Sequence, residues 1–225
     1  WELVEAFSTM MREHPDDVNR GMDMVAERLA KHGVPTVMHE PTLYLSLPGK
    51  ARVEADGRSF RAKPPSYCVD ASGGMTGELV YIPANHSDTI DSLFDAKFDD
   101  GSAAPRITGK IVLSEGYASP TLISNFEAMG AIGVIAINPG IDIHWGTCTT
   151  IWGVPDLEDL PRKPKIPAVA VNNPDGETLK AMSGREVTIF ADMVEGWFPS
   201  KLLTVDIPGT DGTGDYVLLH GHLDS

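Results

Sequence analysis

The chain has 225 residues, enough for one large domain or two smaller ones. Its content of 42% hydrophobic and 22% charged residues is that of an ordinary globular protein, and no apolar run approaches the roughly 20 residues needed to span a bilayer. A formal net charge of −14 speaks against general affinity for nucleic acid or anionic membranes. The two cysteines, Cys68 and Cys148, are too few for a disulfide scaffold or a cysteine zinc site. Their separation leaves pairing open, and free, partly buried thiols are expected. The chain begins at Trp1 without a charged-then-apolar leader, so an imposed boundary or processing site is expected there.

Leu3, Val4, Phe7, Met10 and Met11 recur at helical spacing and predict an amphipathic helix over the first dozen residues. Pro15, Asp16 and Asp17 start a second helix, whose apolar stripe is Val18, Met22, Val25 and Leu29. Lys31, His32 and Gly33 close it. From Thr36 to Leu47 the pattern alternates, predicting a strand that ends at Pro48-Gly49. Arg52–Ala55 and Ser59–Ala62 flank Asp56-Gly57 as a hairpin. Ser66–Asp70 and Glu78–Ile82 are further short strands, so this stretch reads as a β-rich module.

The middle has another texture. Gly109–Ser114 predicts a buried strand, Pro120–Met129 a helix, and Ala131–Asn138 a second apolar strand. That succession fits a βαβ unit with parallel pairing. Ile166–Val171 is another strand, Pro174–Met182 a short helix with Asn173 as its cap, and Glu186–Val194 alternates again. Ile141–Lys165 lacks periodicity; a stretch of that length is more often functional than idle. Leu202–Ile207 and Tyr216–Leu219 are expected to be strands joined by the Gly/Asp-rich turn Pro208–Asp215.

Two resemblances rest on these residues. Gly109-Lys110-Ile111-Val112-Leu113, the helix after it, Gly130-Ala131-Ile132-Gly133-Val134-Ile135, and Ile166-Pro167-Ala168-Val169 together resemble the protease-associated domain. Val217-Leu218-Leu219-His220-Gly221-His222-Leu223-Asp224-Ser225 resembles the first metal motif of M28 zinc peptidases, an apolar strand followed by His-x-Asp-Ser. Larger members of that family carry the protease-associated domain between early strands of the catalytic domain, and the two resemblances nest in this order. The fold class implied is α/β, with a β-rich protease-associated domain containing βαβ elements inserted into the start of a truncated zinc-peptidase domain. The implied division is 1–49 for the entry helices and first strand, 50–195 for the inserted domain, and 196–225 for strands ending in the metal motif.

The resemblance implies chemistry as well. His222 becomes a zinc ligand, and Asp224 the carboxylate that fixes its tautomer and raises its basicity. Two zinc ions are implied for the full-length enzyme, which would hydrolyse peptide or amide bonds as an aminopeptidase or carboxypeptidase. A two-metal site activates a water and polarises the scissile carbonyl. The bridging carboxylate, the general base and the final histidine are expected beyond Ser225, so the 225 residues alone are expected to be inactive. His220 would share a strand face with His222 and is expected to be structural or orienting. His144, Trp145 and Trp152 could form a substrate-contacting flap or simply pack their own loop.

Other residues take plainer readings. His14, His32, His39 and His86 have no partner at ligand spacing and are expected to be structural, and Gly212-Thr213-Gly214 is a turn. Ser225 beside His222 and Asp224 is not read as a nucleophile, because triad members come from separate chain segments. Three alternatives stay open. One is an M20-type metallopeptidase, which shares Gly-His-x-Asp after an apolar strand. Another is a metal-free receptor or binding protein on the same fold. The third is an isolated protease-associated module.

Overall fold

The computed structural model describes residues 1–83, 104–144, 146–148, 155–210 and 212–223. They form two compact units, one from Trp1–Tyr44 with Trp197–Ser225 and the other from Leu45–Gly196. The protein is a mixed α/β structure with a large sheet. No helix among the described residues is long and apolar enough to cross a membrane.

The first unit opens with helices α1 (Glu2–Ser8) and α2 (Pro15–Lys31). Helix α2 begins where its sequence signals place it. His14 is the N-cap, its Nδ1 accepting from the Asp16 amide at 3.3 Å, and Pro15 takes the first helical position. Asp16 and Asp17 lie in the first turn, and Arg28 and Lys31 in the last, matching the helix dipole. His32 is the C-cap, and Gly33 follows at φ 71°. Strands β1 (Val37–His39) and β9 (Leu202–Thr204) pair antiparallel, with His39 Nε2 2.9 Å from Thr204 Oγ1. Asn19 on α2 grips the approach to β9 from both sides. Its amide donates to the Pro199 carbonyl at 2.9 Å and its Oδ1 accepts from the Lys201 amide at 2.7 Å.

Among the described residues the large sheet has seven strands. They are β2 (Thr42–Ala55), β3 (Arg58–Ala62), β4 (Met75–Tyr81), β5 (Ile111–Glu115), β6 (Gly133–Ile137), β7 (Ala168–Val171) and β8 (Glu186–Pro199), in the order β3-β2-β8-β4-β5-β6-β7. Strands β4 to β7 are mutually parallel, aligned for example as Leu113↔Ile135↔Val169, while β2–β3 and β4–β8 pair antiparallel. Every residue of β5, β6 and β7 is buried, which explains their unbroken apolar sequences. Helix α4 (Pro120–Ala128) connects β5 to β6, capped by Ser119, and buries Leu122, Ile123 and Phe126. A short helix, α3 (Ala104–Ile107), precedes β5. An antiparallel bridge between Lys63 and Ala170 joins the end of β3 to β7, so the two outermost strands meet. Closing the sheet in this way covers edge groups that would otherwise be open to pairing.

The hairpin expected at Asp56-Gly57 is present. Ala55 faces Arg58 across a two-residue loop, and both loop residues take positive φ, 50° and 73°, as a type I′ turn requires. Three expectations need correction. Pro48-Gly49 does not end a strand, because β2 continues through it to Ala55. The glycine serves close approach instead: a Cβ on Gly49 would lie 2.8 Å from Asp192 Cβ on β8. Ser66–Asp70 is not a strand. The Cys68 amide donates to the Pro65 carbonyl across a turn in which Tyr67 holds φ 62°, leaving one bridge, Ser66↔Thr147. Helix α5 (Asn173–Lys180) is capped by Asn172 rather than Asn173, with its Oδ1 accepting from the Asp175 amide at 2.9 Å.

Helix α5 packs so closely on β6 that a Cβ at Gly176 would overlap Ile137 Cγ2 and lie 2.8 Å from Cγ1. Alanine normally favours a helix over glycine by about 1 kcal/mol, but overpacking costs about 1–3 kcal/mol. Gly176→Ala is therefore expected to lower stability in urea denaturation. Equal or greater stability would contradict this packing.

Candidate functional site

The metal-motif segment lies in the first unit. Residues 215–223 form no strand, contrary to the expectation for Tyr216–Leu219, and β9 stops at Thr204 rather than Ile207. Val217, Leu218 and Leu219 are 86%, 72% and 89% exposed. An apolar run becomes a central strand only with neighbours to bond its backbone and cover its faces, and no such neighbours occur among the described residues. The shared-face argument for His220 and His222 therefore does not apply; both are exposed.

The far end of the segment is held differently. The Arg12 Nε donates to the Leu223 carbonyl at 2.6 Å, and its Nη1 donates to the carbonyls of Phe7 at 2.6 Å and Met10 at 3.0 Å. Leu223 also seats against α2, where a Cβ on Gly21 would be 3.0 Å from Leu223 Cδ2. His222 thus sits one residue before a fixed point. Asp224 and Ser225 lie outside the described residues.

A neutral imidazole suits zinc, and His222 is exposed and borne on an anchored backbone, so it fits as one ligand. A zinc site needs three or four protein ligands. Among the described residues no group of three His, Cys, Asp or Glu side chains is placed to hold an ion. Among the described residues the motif therefore contributes one imidazole, that of His222.

His144 belongs to the second unit. Asn138, fully buried just past β6, donates from Nδ2 to the Gly116 carbonyl at 2.9 Å and accepts from the His144 amide at 2.7 Å. The exposed His144 ring meets Tyr117 edge-on at 5.5 Å between centroids. This pair stands past the carboxyl ends of parallel strands β5 and β6. Trp145, Trp152 and His86 lie outside the described residues. His14, His32 and His39 are occupied in two helix caps and a strand pair.

Two polar groupings carry no sequence signal of their own. Glu115 ends β5 in a buried position, accepting from the Tyr81 hydroxyl and pairing with Lys180 Nζ at 2.6 Å. Burial, then the hydrogen bond to Glu115, raises the Tyr81 pKa. Burial works to lower the Lys180 pKa, but hydrogen bonds to Glu115 and Glu177 outweigh it and hold it well above the ordinary lysine value. A second ion pair joins Lys163 to Glu195 beside the Tyr67 ring. Both groupings tie loops and helices to the sheet.

No protein-family model matches the sequence, and comparison with curated proteins finds no match. Solved structures do show likeness. An aminopeptidase from Aneurinibacillus sp. strain AM-1 superposes with a TM-score of 0.62 at 15% identity, over 94% of this chain and 48% of that one. A zinc aminopeptidase from Bacillus subtilis matches with a TM-score of 0.62 at 18% identity, over 90% and 44%. A peptidase M28 precursor from Shewanella amazonensis SB2B matches with a TM-score of 0.61 at 17% identity, over 93% and 50%. The chain thus spans about half the length of these proteins or somewhat less. At such identities the likeness is one of fold.

Cys68 and Cys148 are free and buried. Burial pushes the Cys68 thiol from 9.0 up to about 12, against a smaller opposing effect of the hydrogen bond at the Ala168 backbone. Burial, reinforced by the charge Cys68 would carry, also holds Cys148 well above 9.0. A raised folded-state pKa favours the protonated thiol, so this contribution to stability is complete below about pH 9 and fades as pH climbs towards 12. Neither thiol is expected to react with an aromatic disulfide reagent at pH 8 until the protein is denatured. Rapid labelling of the native protein would contradict their burial.

Proposed function

We propose that this chain is part of a zinc-dependent exopeptidase of the M28 kind, with His222 as one of its metal ligands. The observation that carries the reading is a conjunction. The fold is like that of two aminopeptidases, one of them a zinc enzyme, and of an M28 peptidase precursor over 90–94% of the chain, and the sequence carries an apolar run leading into His222-Leu223-Asp224. The same conjunction favours the M28 reading over an M20 enzyme or a metal-free receptor. Residues 50–195 are read as the inserted protease-associated domain. What supports this is the run of strand, helix and strand at β5, α4 and β6 followed by β7. Segments 1–49 and 196–225 are read as the entry to the peptidase domain.

In this account the His222 ring is neutral and offers one nitrogen to the metal. Asp224 accepts a hydrogen bond from the other nitrogen, which selects the tautomer and raises ligand basicity. When bound, a zinc pair lowers the pKa of a water towards ~7 and polarises the scissile carbonyl. The remaining ligands and the general base are not assigned to residues of this chain, and the activity is proposed for the complete protein. The substrate is a peptide or amide. His144, Trp145 and Trp152 are proposed to contact substrate.

The complete protein is expected to release p-nitroaniline from aminoacyl-p-nitroanilides, to lose that activity to a chelator, and to regain it with zinc. His222→Ala should abolish it and lower zinc content. A protein that contains no zinc and cleaves neither amino- nor carboxy-terminal model peptides would refute the reading.

A further inference from the structure

We infer that Arg12 is a positioning residue for the His222 side chain, acting through the backbone of Leu223; this rests on His222 being a zinc ligand. Arg12 follows α1 closely in sequence, whereas Leu223 lies 211 residues further on. One guanidinium nevertheless serves three carbonyls from both places: Phe7 and Met10 through Nη1, and Leu223 through Nε. The planar fork of arginine allows this, because its donors point in fixed and divergent directions. The cation also lies over the Phe7 ring, 4.9 Å from its centroid, which holds its plane from a further side.

The carbonyl that Arg12 holds belongs to the peptide between Leu223 and Asp224, and the residue before Leu223 is His222. The Leu223 side chain is fixed too, against a helical glycine whose missing Cβ makes the seat. Backbone and side chain of the residue between the motif's histidine and aspartate are therefore both anchored to the helix pair. The preceding run, 216–219, is exposed and unpaired among the described residues, so no strand ladder performs this task there. A metal ligand must be presented within a narrow range of directions, and supports one layer removed from the ion commonly change affinity by about 10–100-fold. Arg12 and Gly21 supply a more indirect support, from sequence far removed from the motif.

The test measures zinc affinity of the metal-free complete protein by competition with a chromophoric chelator. Arg12→Met is expected to weaken zinc binding severalfold, less than the about 10–100-fold lost with a direct hydrogen-bond partner of a ligating ring. Gly21→Leu keeps a good helix former in α2 while filling the seat of Leu223, and it is expected to act in the same direction. It carries the test if Arg12→Met does not fold. Arg28→Ala breaks the exposed Arg28–Glu2 pair between the same two helices and is expected to leave zinc affinity unchanged. His222→Ala is the reference for the reading itself. If His222→Ala loses zinc while Arg12→Met and Gly21→Leu bind like the parent, the positioning role is overturned and the ligand reading stands. If Arg28→Ala weakens binding as much as Arg12→Met, the effect belongs to general helix packing and the proposal is likewise overturned. If His222→Ala binds zinc like the parent, the reading fails and the positioning role falls with it.

Discussion

The structure depends on one constraint: strands β5, β6 and β7 have no solvent-facing side, so everything around them must cover or cap them. Ile111, Leu113, Val134, Ile135, Ile137 and Val169 are all without exposure. At roughly 25 cal/mol per Å² of apolar surface, each such side chain contributes about 1.5–3 kcal/mol relative to an exposed one. Backbone groups at the strand ends still need partners. Asn138 meets part of that need after β6 and at the same time fixes the start of the loop bearing His144. At the end of β5 the buried side chain is itself polar, and Lys180 and Tyr81 satisfy the Glu115 carboxylate. The antiparallel strands β2, β3, β4 and β8 then complete the sheet, and the Lys63–Ala170 bridge joins its outer strands.

Most of this was legible in the sequence because it is local. Two loop residues that tolerate positive φ mark the Asp56-Gly57 hairpin. Pro15 and the two aspartates mark the start of α2, and continuous β-branched runs mark the buried parallel strands. The failures are cases in which a residue answers to a distant partner. Pro48-Gly49 reads as a strand end, but the glycine is there because Asp192 on β8 comes close. Ser66–Asp70 reads as a short strand, but the Tyr67 amide donates to Ser46 Oγ at 2.7 Å and the chain turns there. Tyr216–Leu219 has strand composition, yet composition alone does not pair a backbone.

The candidate site was legible as chemistry rather than as geometry. His222 and Asp224 stand out as residue types after an apolar run, and no feature near them in sequence points to Arg12. Arg12 lies in an unremarkable polar stretch between two helices, and its importance comes from reaching the Leu223 carbonyl. Asn138 offered a weak cue, a polar residue closing an apolar strand just before Pro139-Gly140. The division of labour is a common one: candidate functional side chains lie on irregular segments, and elements elsewhere in the sequence hold the backbone beneath them.

The central claim is that the His222 ring is built to hold a zinc ion. The most direct test is a crystal of the complete protein grown with zinc, with anomalous diffraction recorded on both sides of the zinc absorption edge. The account predicts an edge-dependent peak about 2.0–2.1 Å from an imidazole nitrogen of His222. Zinc density elsewhere in the molecule with none beside His222, or none at all, would contradict it.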